Sequence, residues 1–435
     1  MRVELRLLAM AAGAIAPALL LISTPAEAAD ETFAATKAIS APSGKITSFD
    51  ISFVDPALGL YLLGDRTQNA IDVIDTDSNA FVKQIGKGLF TGPGACPPIK
   101  QPAGANDCAG PDGVLAIRHK EVWAGDGDST VKVFDIEGSG TAPTHTISTG
   151  GVHRADELCF DSKHKLVLVA NNAEAPFPFA TLISTETYMV LKRITFDGNN
   201  GTPKATNGAE QCQYDRRTDR FYISIPEING PGNNSASGGV AVINHDGQVE
   251  TTFVIPVAQC SGPQGMAIGP DHQMLLGCNG AANANASTVV IDDHDGHVIA
   301  TLNNESGADE VWFNPGDGHY FLARSSAVGT SQFLGVVDAE RLKEDASIVT
   351  TGEGTGIGNA HSVAADPERN RVYVPIPSNA TGGLCTAAGG NSANGCIAVF
   401  TTPDDDQVCE AEGAPFIRVS EDADEQLHRR RCHDR

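Results

Sequence analysis

Seven times along the chain a short polar tetrad precedes a hydrophobic strand: SFDI (48–51), PDGV (111–114), RADE (154–157), GAEQ (208–211), GPQG (262–265), GADE (307–310) and NAHS (359–362). A few residues later each reaches a turn dipeptide (DP, RH, DS, DR, GP, NP or DP), and then a second apolar strand such as GLYLLGD or KLVLVAN. A unit of a few tens of residues built only from short strands cannot bury its own faces. Stacking such units around an axis can, so the recurrence predicts an all-β fold, a seven-bladed β-propeller.

The blades read one after another. Blade 1 runs from Thr47 to about Ile85 with strands SFDISFV, GLYLLGD, NAIDVID and AFVKQI, whose alternation has the period of two expected of strands. Blade 7 offers SVAADP, RVYVPIP and CIAVFTT and then runs out of strands. The strand-like FAATKAIS (33–40) stands before blade 1, and its pairing with blade 7 would close the ring and remove the open edges. Residues 29–402 are thus expected to form a single domain, and 403–435 a tail, acidic and then basic. Ahead of the ring, Arg2 and Arg6 flank an apolar run from Leu7 to Ile22, and Ala26-Glu27-Ala28 matches a small-x-small cleavage site. Residues 1–28 therefore read as a signal peptide, which predicts a periplasmic or secreted protein with no membrane span after processing.

A net charge of −24 argues against nucleic acid or anionic membrane as partners. Ten cysteines suit an oxidising compartment. Cys96 with Cys108 and Cys385 with Cys396 are close enough to staple local loops, Cys159 and Cys212 hold matching positions on neighbouring inner strands, and Cys409 with Cys432 could pin the tail. Cys260 and Cys278 are left over, and spacing alone does not fix the connectivity.

The inner strands of a propeller all start on one face, so the third residue of each tetrad should ring the channel mouth there. The occupants are Asp50, Gly113, Asp156, Glu210, Gln264, Asp309 and His361, with Asp112 one position early in blade 2. His153 and Arg154 stand at the start of blade 3, and Asn171 and Arg324 at second-strand ends. Crowded carboxylates must take up protons, pair with cations or bind a metal. Oxygen donors suit Ca²⁺ or Mg²⁺, and Asp50, Asp156 and Glu210 are the expected ligands. His361, Asp309 and Glu310 are the expected acid–base groups; Arg154, His153, Gln264, Arg324 and Asn171 would hold a small-molecule substrate. The plain alternative is a solvated channel lining. The Asp residues of the opposite turns, Asp55, Asp161, Asp215 and Asp366, are expected to be turn residues.

NAIDVIDTDSNAFVKQI and RVYVPIP resemble the YVTN-type repeats of bacterial seven-bladed propellers. The architecture is similar to that of propeller lactonases of the gluconolactonase type and of virginiamycin B lyase. The resemblance implies a top-face divalent cation and hydrolysis or lyase chemistry on a lactone or related ester; the residue roles above rest on ring position. A non-catalytic propeller binding a small molecule, sugar or protein partner is the alternative. The absence of a Walker loop, a dinucleotide fingerprint and Cys-x-x-Cys-His leads us to expect no nucleotide, flavin or haem, and two tryptophans are too few for quinoprotein docking repeats. A closed ring needs no partner, so a monomer is expected.

Overall fold

The computed structural model describes residues 33–41, 44–94, 96, 104, 106–278, 287–303, 307–324, 333–350, 361–378 and 383–401. The signal-peptide, tail and Cys409–Cys432 expectations fall outside them. Seven four-stranded antiparallel sheets form the blades of a β-propeller. Six are consecutive meanders, and the seventh is ordered Ala34–Ile39, Cys396–Thr401, Arg371–Ile376, Ala364–Asp366. The N-terminal strand therefore supplies the outer strand that blade 7 lacks, pairing Ala34 with Thr401 through Ile39 with Ile397.

Each blade packs both faces, so the core is not one mass but seven clusters, one at each blade interface. In the second strand of blade 1, Tyr61 and Leu63 pack toward blade 7 while Leu62 packs toward blade 2. Burial on both sides explains why second strands such as LVLVAN are continuously apolar, whereas outer strands such as Ala80–Ile85 alternate. Among the described residues four disulfides reinforce the ring: Cys96–Cys108, Cys159–Cys212 between the inner strands of blades 3 and 4, Cys260–Cys278 and Cys385–Cys396. They are compatible with an extracellular location. Among the described residues no helix is long and apolar enough to cross a membrane.

The turns opposite the mouth behave as their sequence predicts. Asp55, Asp161, Asp215 and Asp366 each accept a backbone N–H two or three residues on. They also tie elements together: Asp366 accepts from Thr76 of blade 1 at 2.7 Å, and Asp55 contacts His119 of blade 2.

Candidate functional site at the channel mouth

One backbone device builds the mouth. In blades 1 to 4 the N–H of the ring residue donates to a second-strand carbonyl: Asp50 to Gly64, Asp112 to Gly125, Asp156 to Ala170 and Glu210 to Ser224. The N–H of that same second-strand residue donates to the carbonyl of the following residue, Ile51, Gly113, Glu157 or Gln211. Two inner-strand residues thus face one partner, a bulge that breaks strict alternation. Blades 5 and 6 show the same register shift between Pro263 and Met266 and between Ala308 and Glu310. The third tetrad residue can therefore serve the mouth while the fourth lines the channel below it.

This register corrects the reading of blade 2. Asp112, not Gly113, is the counterpart of Asp50 and Asp156. Gly113 takes the fourth position because a Cβ there would lie 2.2 Å from the carbonyl oxygen of Asp156. The ring is Asp50, Asp112, Asp156, Glu210, Gln264, Asp309 and His361.

Its charges are arranged in two connected groups. Arg66, only 3 % exposed, donates to Asp50 Oδ2 at 2.5 Å and to Asp112. The His361 ring bridges Asp50 Oδ1 at 2.7 Å through Nε2 and Asp309 Oδ2 at 2.6 Å through Nδ1. In the second group Arg154 donates to Asp156 Oδ2 through Nη2 at 3.0 Å and through Nε at 3.1 Å. Arg154 Nε also reaches Asn172 Oδ1 at 3.1 Å, and Asn172 Nδ2 donates to Glu210 Oε2 at 3.3 Å. A row Asp156–Arg154–Asn172–Glu210 thus spans blades 3 and 4. The loop stapled by Cys96–Cys108 steadies it: the Arg154 N–H donates to Asp107 O at 2.8 Å, and Nη1 to Asn106 O at 3.4 Å.

Below the mouth lies the fourth-position layer. Gln211 Nε2 donates to Glu310 Oε2 at 3.0 Å, joining blades 4 and 6 across the channel. At the fourth position of blade 7, Ser362 Oγ meets Oγ of Ser52, one residue past the fourth position of blade 1, at 2.9 Å. Glu157 and Glu310 are both buried in this layer.

Asp50, Asp112, Asp156, Glu157, Glu210, Asp309 and Glu310 outnumber Arg66, Arg154 and His361, and most of the excess is met by protons. Burial works against the Asp50 carboxylate, but Arg66 and His361 outweigh it and hold Asp50 well below the usual range. Burial raises Asp112 well above that range despite Arg66. It pushes Asp156 up to about 6 against the pull of Arg154. Burial, with repulsion from Asp156 and Asp309, pushes Glu210 up to about 8. Burial disfavours an imidazolium at His361, yet Asp309 and Asp50 more than compensate, so the ring is protonated at neutral pH. Burial and Glu310 raise Glu157 well above the carboxylate range, and burial takes Glu310 up to about 8.

Most predicted site residues meet here: Asp50, Asp156, Glu210, Asp309, His361 and Arg154 at the mouth, Glu310 one layer down, and Gln264 half-buried at the blade 5 position. Three others make contacts of their own. His153 is buried, its N–H donating to Glu174 Oε1 at 2.7 Å. Asn171 Nδ2 donates to Ser129 Oγ at 3.1 Å and to the Arg154 carbonyl at 3.0 Å, a brace between blades 2 and 3. Arg324 Nη1 donates to Ser347 Oγ at 2.7 Å, and its guanidinium lies 5.0 Å from the Phe333 ring, within blade 6. The reading from sequence missed Arg66. Its only signal is an arginine directly after the second-strand end of blade 1.

A Ca²⁺ or Mg²⁺ ion fits this donor set poorly. Asp50, Asp112 and Asp156 bring oxygens within 4.8 Å of one another. Arg66, however, already holds a positive charge against two of the three, and Arg154 holds the other. A metal would compete with two guanidiniums. Asp112 Oδ2, buried with no hydrogen-bond partner among the described residues, is the single orphan that favours one.

No family model matches the chain, and no curated protein matches it. Among solved structures, it is similar to a chain from the crystal structure of a mitotic checkpoint complex, at 9% identity with a TM-score of 0.57, over 92% of this chain and 99% of that one. It is also similar to a chain of the hydrazine synthase of Kuenenia stuttgartiensis, at 13% identity with a TM-score of 0.54, over 76% and 92%. At such identities the likeness shows the β-propeller fold alone. Neither match supports the YVTN, lactonase or virginiamycin B lyase resemblance.

Proposed function

We propose that the protein is an exported propeller hydrolase acting on a lactone or related ester at the channel mouth. The observation that carries this reading is a pair of neighbouring carboxyls pushed apart in acidity beside a cation: Asp156 at about 6, Glu210 at about 8, with Arg154 and Asn172 between them. At neutral pH one carboxyl is mostly ionised and the other mostly protonated, which assigns base and acid. In the proposed reaction Asp156 accepts a proton from water as the water oxygen bonds to the carbonyl carbon. Arg154 stabilises the oxyanion. Glu210 gives its proton to the alkoxide as the ring C–O bond breaks, and solvent exchange resets both carboxyls. Both nitrogens of His361 are engaged by carboxylates, so its part here is positive charge at the rim rather than proton transfer. No step is routed through a metal ion.

The test is a panel of lactones and aryl esters. Glu210→Gln should lower kcat on any substrate found by roughly 10²–10⁴-fold, the usual worth of a positioned acid, with little change in KM. Wild-type turnover in both Glu210→Gln and Asp156→Asn would sink the reading. The saturation of His361 favours a second reading, a non-catalytic binding propeller. In that case a ligand would bind the mouth with no turnover, and Glu210→Gln would change affinity alone.

A further inference from the structure

On the face opposite the mouth, two turns of blade 5 bring two imidazoles onto one carboxylate. His272 stands in the turn between Pro263–Ile268 and Gln273–Cys278. Asp293 and His294 stand in the turn between Thr288–Asp292 and Val298–Leu302. His272 Nδ1 lies 3.0 Å from Asp293 Oδ1, and His294 Nδ1 lies 3.1 Å from that same oxygen. His294 Nδ1 also lies 3.3 Å from Asp292 Oδ1, and the two ring centroids are 4.0 Å apart.

The turns are closed by the backbone, without the imidazoles: Gln273 N–H donates to Pro270 O, Gly296 N–H to Asp292 O, and Asp293 N–H to His272 O, each at 2.9 Å. Asp293 is fixed from behind by blade 4. It is 1 % exposed, its Oδ2 accepts from Arg217 Nη2 at 3.2 Å, and its carbonyl accepts from the Tyr222 hydroxyl at 3.0 Å. A neighbouring blade thus sets the direction of the carboxylate and leaves Oδ1 to the two imidazoles. Outer partners of this kind are what orient a metal-ligating carboxylate.

Donor spacing and donor type both point to a metal. Atoms bound at about 2.0–2.1 Å lie roughly 3.3–3.4 Å apart around a tetrahedral ion and roughly 2.9 Å apart at right angles. The 3.0 and 3.1 Å separations fall between these limits. Hydrogen bonding alone serves the cluster less well, because both imidazoles then spend a proton on one oxygen and His294 has a single Nδ1 proton for two acceptors. Imidazole nitrogens suit Zn²⁺ rather than Ca²⁺ or Mg²⁺, which separates this donor set from the carboxylates of the mouth. Asp215 and Asp292 add negative charge beside Asp293, against Arg217 on its far oxygen.

We propose that His272 Nδ1, His294 Nδ1 and Asp293 Oδ1 bind one Zn²⁺ ion, with water completing its coordination, and that the ion ties the two hairpins of blade 5 together. The site lies on the face opposite the proposed active site and does not depend on that reading.

The experiment is calorimetric titration of the untagged mature chain, first stripped with a chelator, with Zn²⁺, Ca²⁺ and Mg²⁺. Zn²⁺ should bind saturably, and Ca²⁺ and Mg²⁺ at least about a hundredfold more weakly. Free Zn²⁺ at about 100 times its Kd should raise Tm by roughly 3 °C. Two variants remove a ligand from a solvent-reaching position: His294→Ala, and His272→Asn, which suits the left-handed backbone there (φ 63°). Each should keep the metal-free Tm and weaken Zn²⁺ roughly tenfold or more. His164→Ala breaks the other histidine pair, His164 stacked on His245 at 4.4 Å, and should leave this affinity unchanged. No saturable Zn²⁺ binding, equal affinity for the three ions, wild-type Zn²⁺ affinity in both His294→Ala and His272→Asn, or a loss confined to His164→Ala would overturn the proposal.

Discussion

Replacing Glu310 by Gln should make the protein more stable in mild alkali, although it alters one of the most buried polar groups in the ring. Glutamine has the shape of a protonated carboxyl, and it keeps a carbonyl for the Gln211 Nε2 bond. Burial raises the wild-type group from 4.5 to about 8, so ionising it in the folded state costs about 5 kcal/mol more than in the unfolded chain. The sign follows from proton binding. Between these values the folded protein holds the proton and the unfolded chain does not, so stability is full below about 4.5 and falls as pH rises through about 8. Between pH 5 and pH 9 this one group removes about 4 kcal/mol as an upper value, or on the order of 2 kcal/mol after solvent screening. For a ring of about 370 residues, 2–4 kcal/mol corresponds to roughly 3–5 °C in Tm. The assay is thermal unfolding of wild type and Glu310→Gln at both pH values with disulfides intact. The variant should match wild type within about 1 °C at pH 5 and exceed it by roughly 3–5 °C at pH 9. An equal fall in both proteins would refute a buried protonated carboxyl at this position.

Three further outcomes follow from the same structure. If Asp156 acts as base and Glu210 as acid, kcat/KM should be bell-shaped, rising through about pH 6 and falling through about pH 8; a profile flat across this range would contradict the assignment. Arg66→Ala leaves Asp50 and Asp112 facing each other without their shared cation and should cost about 3 kcal/mol. Ca²⁺ should then raise the Tm of the variant but not of wild type, and a variant indifferent to Ca²⁺ would contradict the view that Arg66 stands where a metal would otherwise bind. Replacing Cys159 and Cys212 by Ala opens a loop with a sequence separation of 53 and should cost up to about 4 kcal/mol, read from the guanidinium midpoint.

Much of this architecture was legible because one constraint repeats. Every blade needs a small turn-forming entry, an inner strand and a doubly buried second strand, so the tetrads and the apolar runs recur together. The missing fourth strand of blade 7 and the spare FAATKAIS segment identified each other by the same logic. The bulge was not legible, since a two-to-one pairing leaves no mark on hydrophobic periodicity. In blade 2 the ring residue is the second of PDGV, Asp112, where the other tetrads lead one to expect the third, Gly113. Gly125, where a Cβ would lie 2.1 Å from the Ala155 carbonyl, marks the close approach of blades 2 and 3 but not the register. The mouth acids were legible from position alone. Arg66 was not, because its role depends on reaching carboxylates from two blades, 16 and 46 residues away. His153, Asn171 and Arg324 lie close to the ring in a linear reading, yet their side chains engage Glu174, Ser129 and Ser347.

The most direct test of the acid–base account is whether Glu210 carries a proton at neutral pH. Infrared difference spectroscopy of wild type against Glu210→Gln in D₂O near pH 7 isolates that carboxyl. The account predicts that the variant loses a protonated-carboxyl C=O band, and that the wild-type band fades as pH rises through about 8. A difference spectrum that shows only the loss of an ionised carboxylate would contradict it.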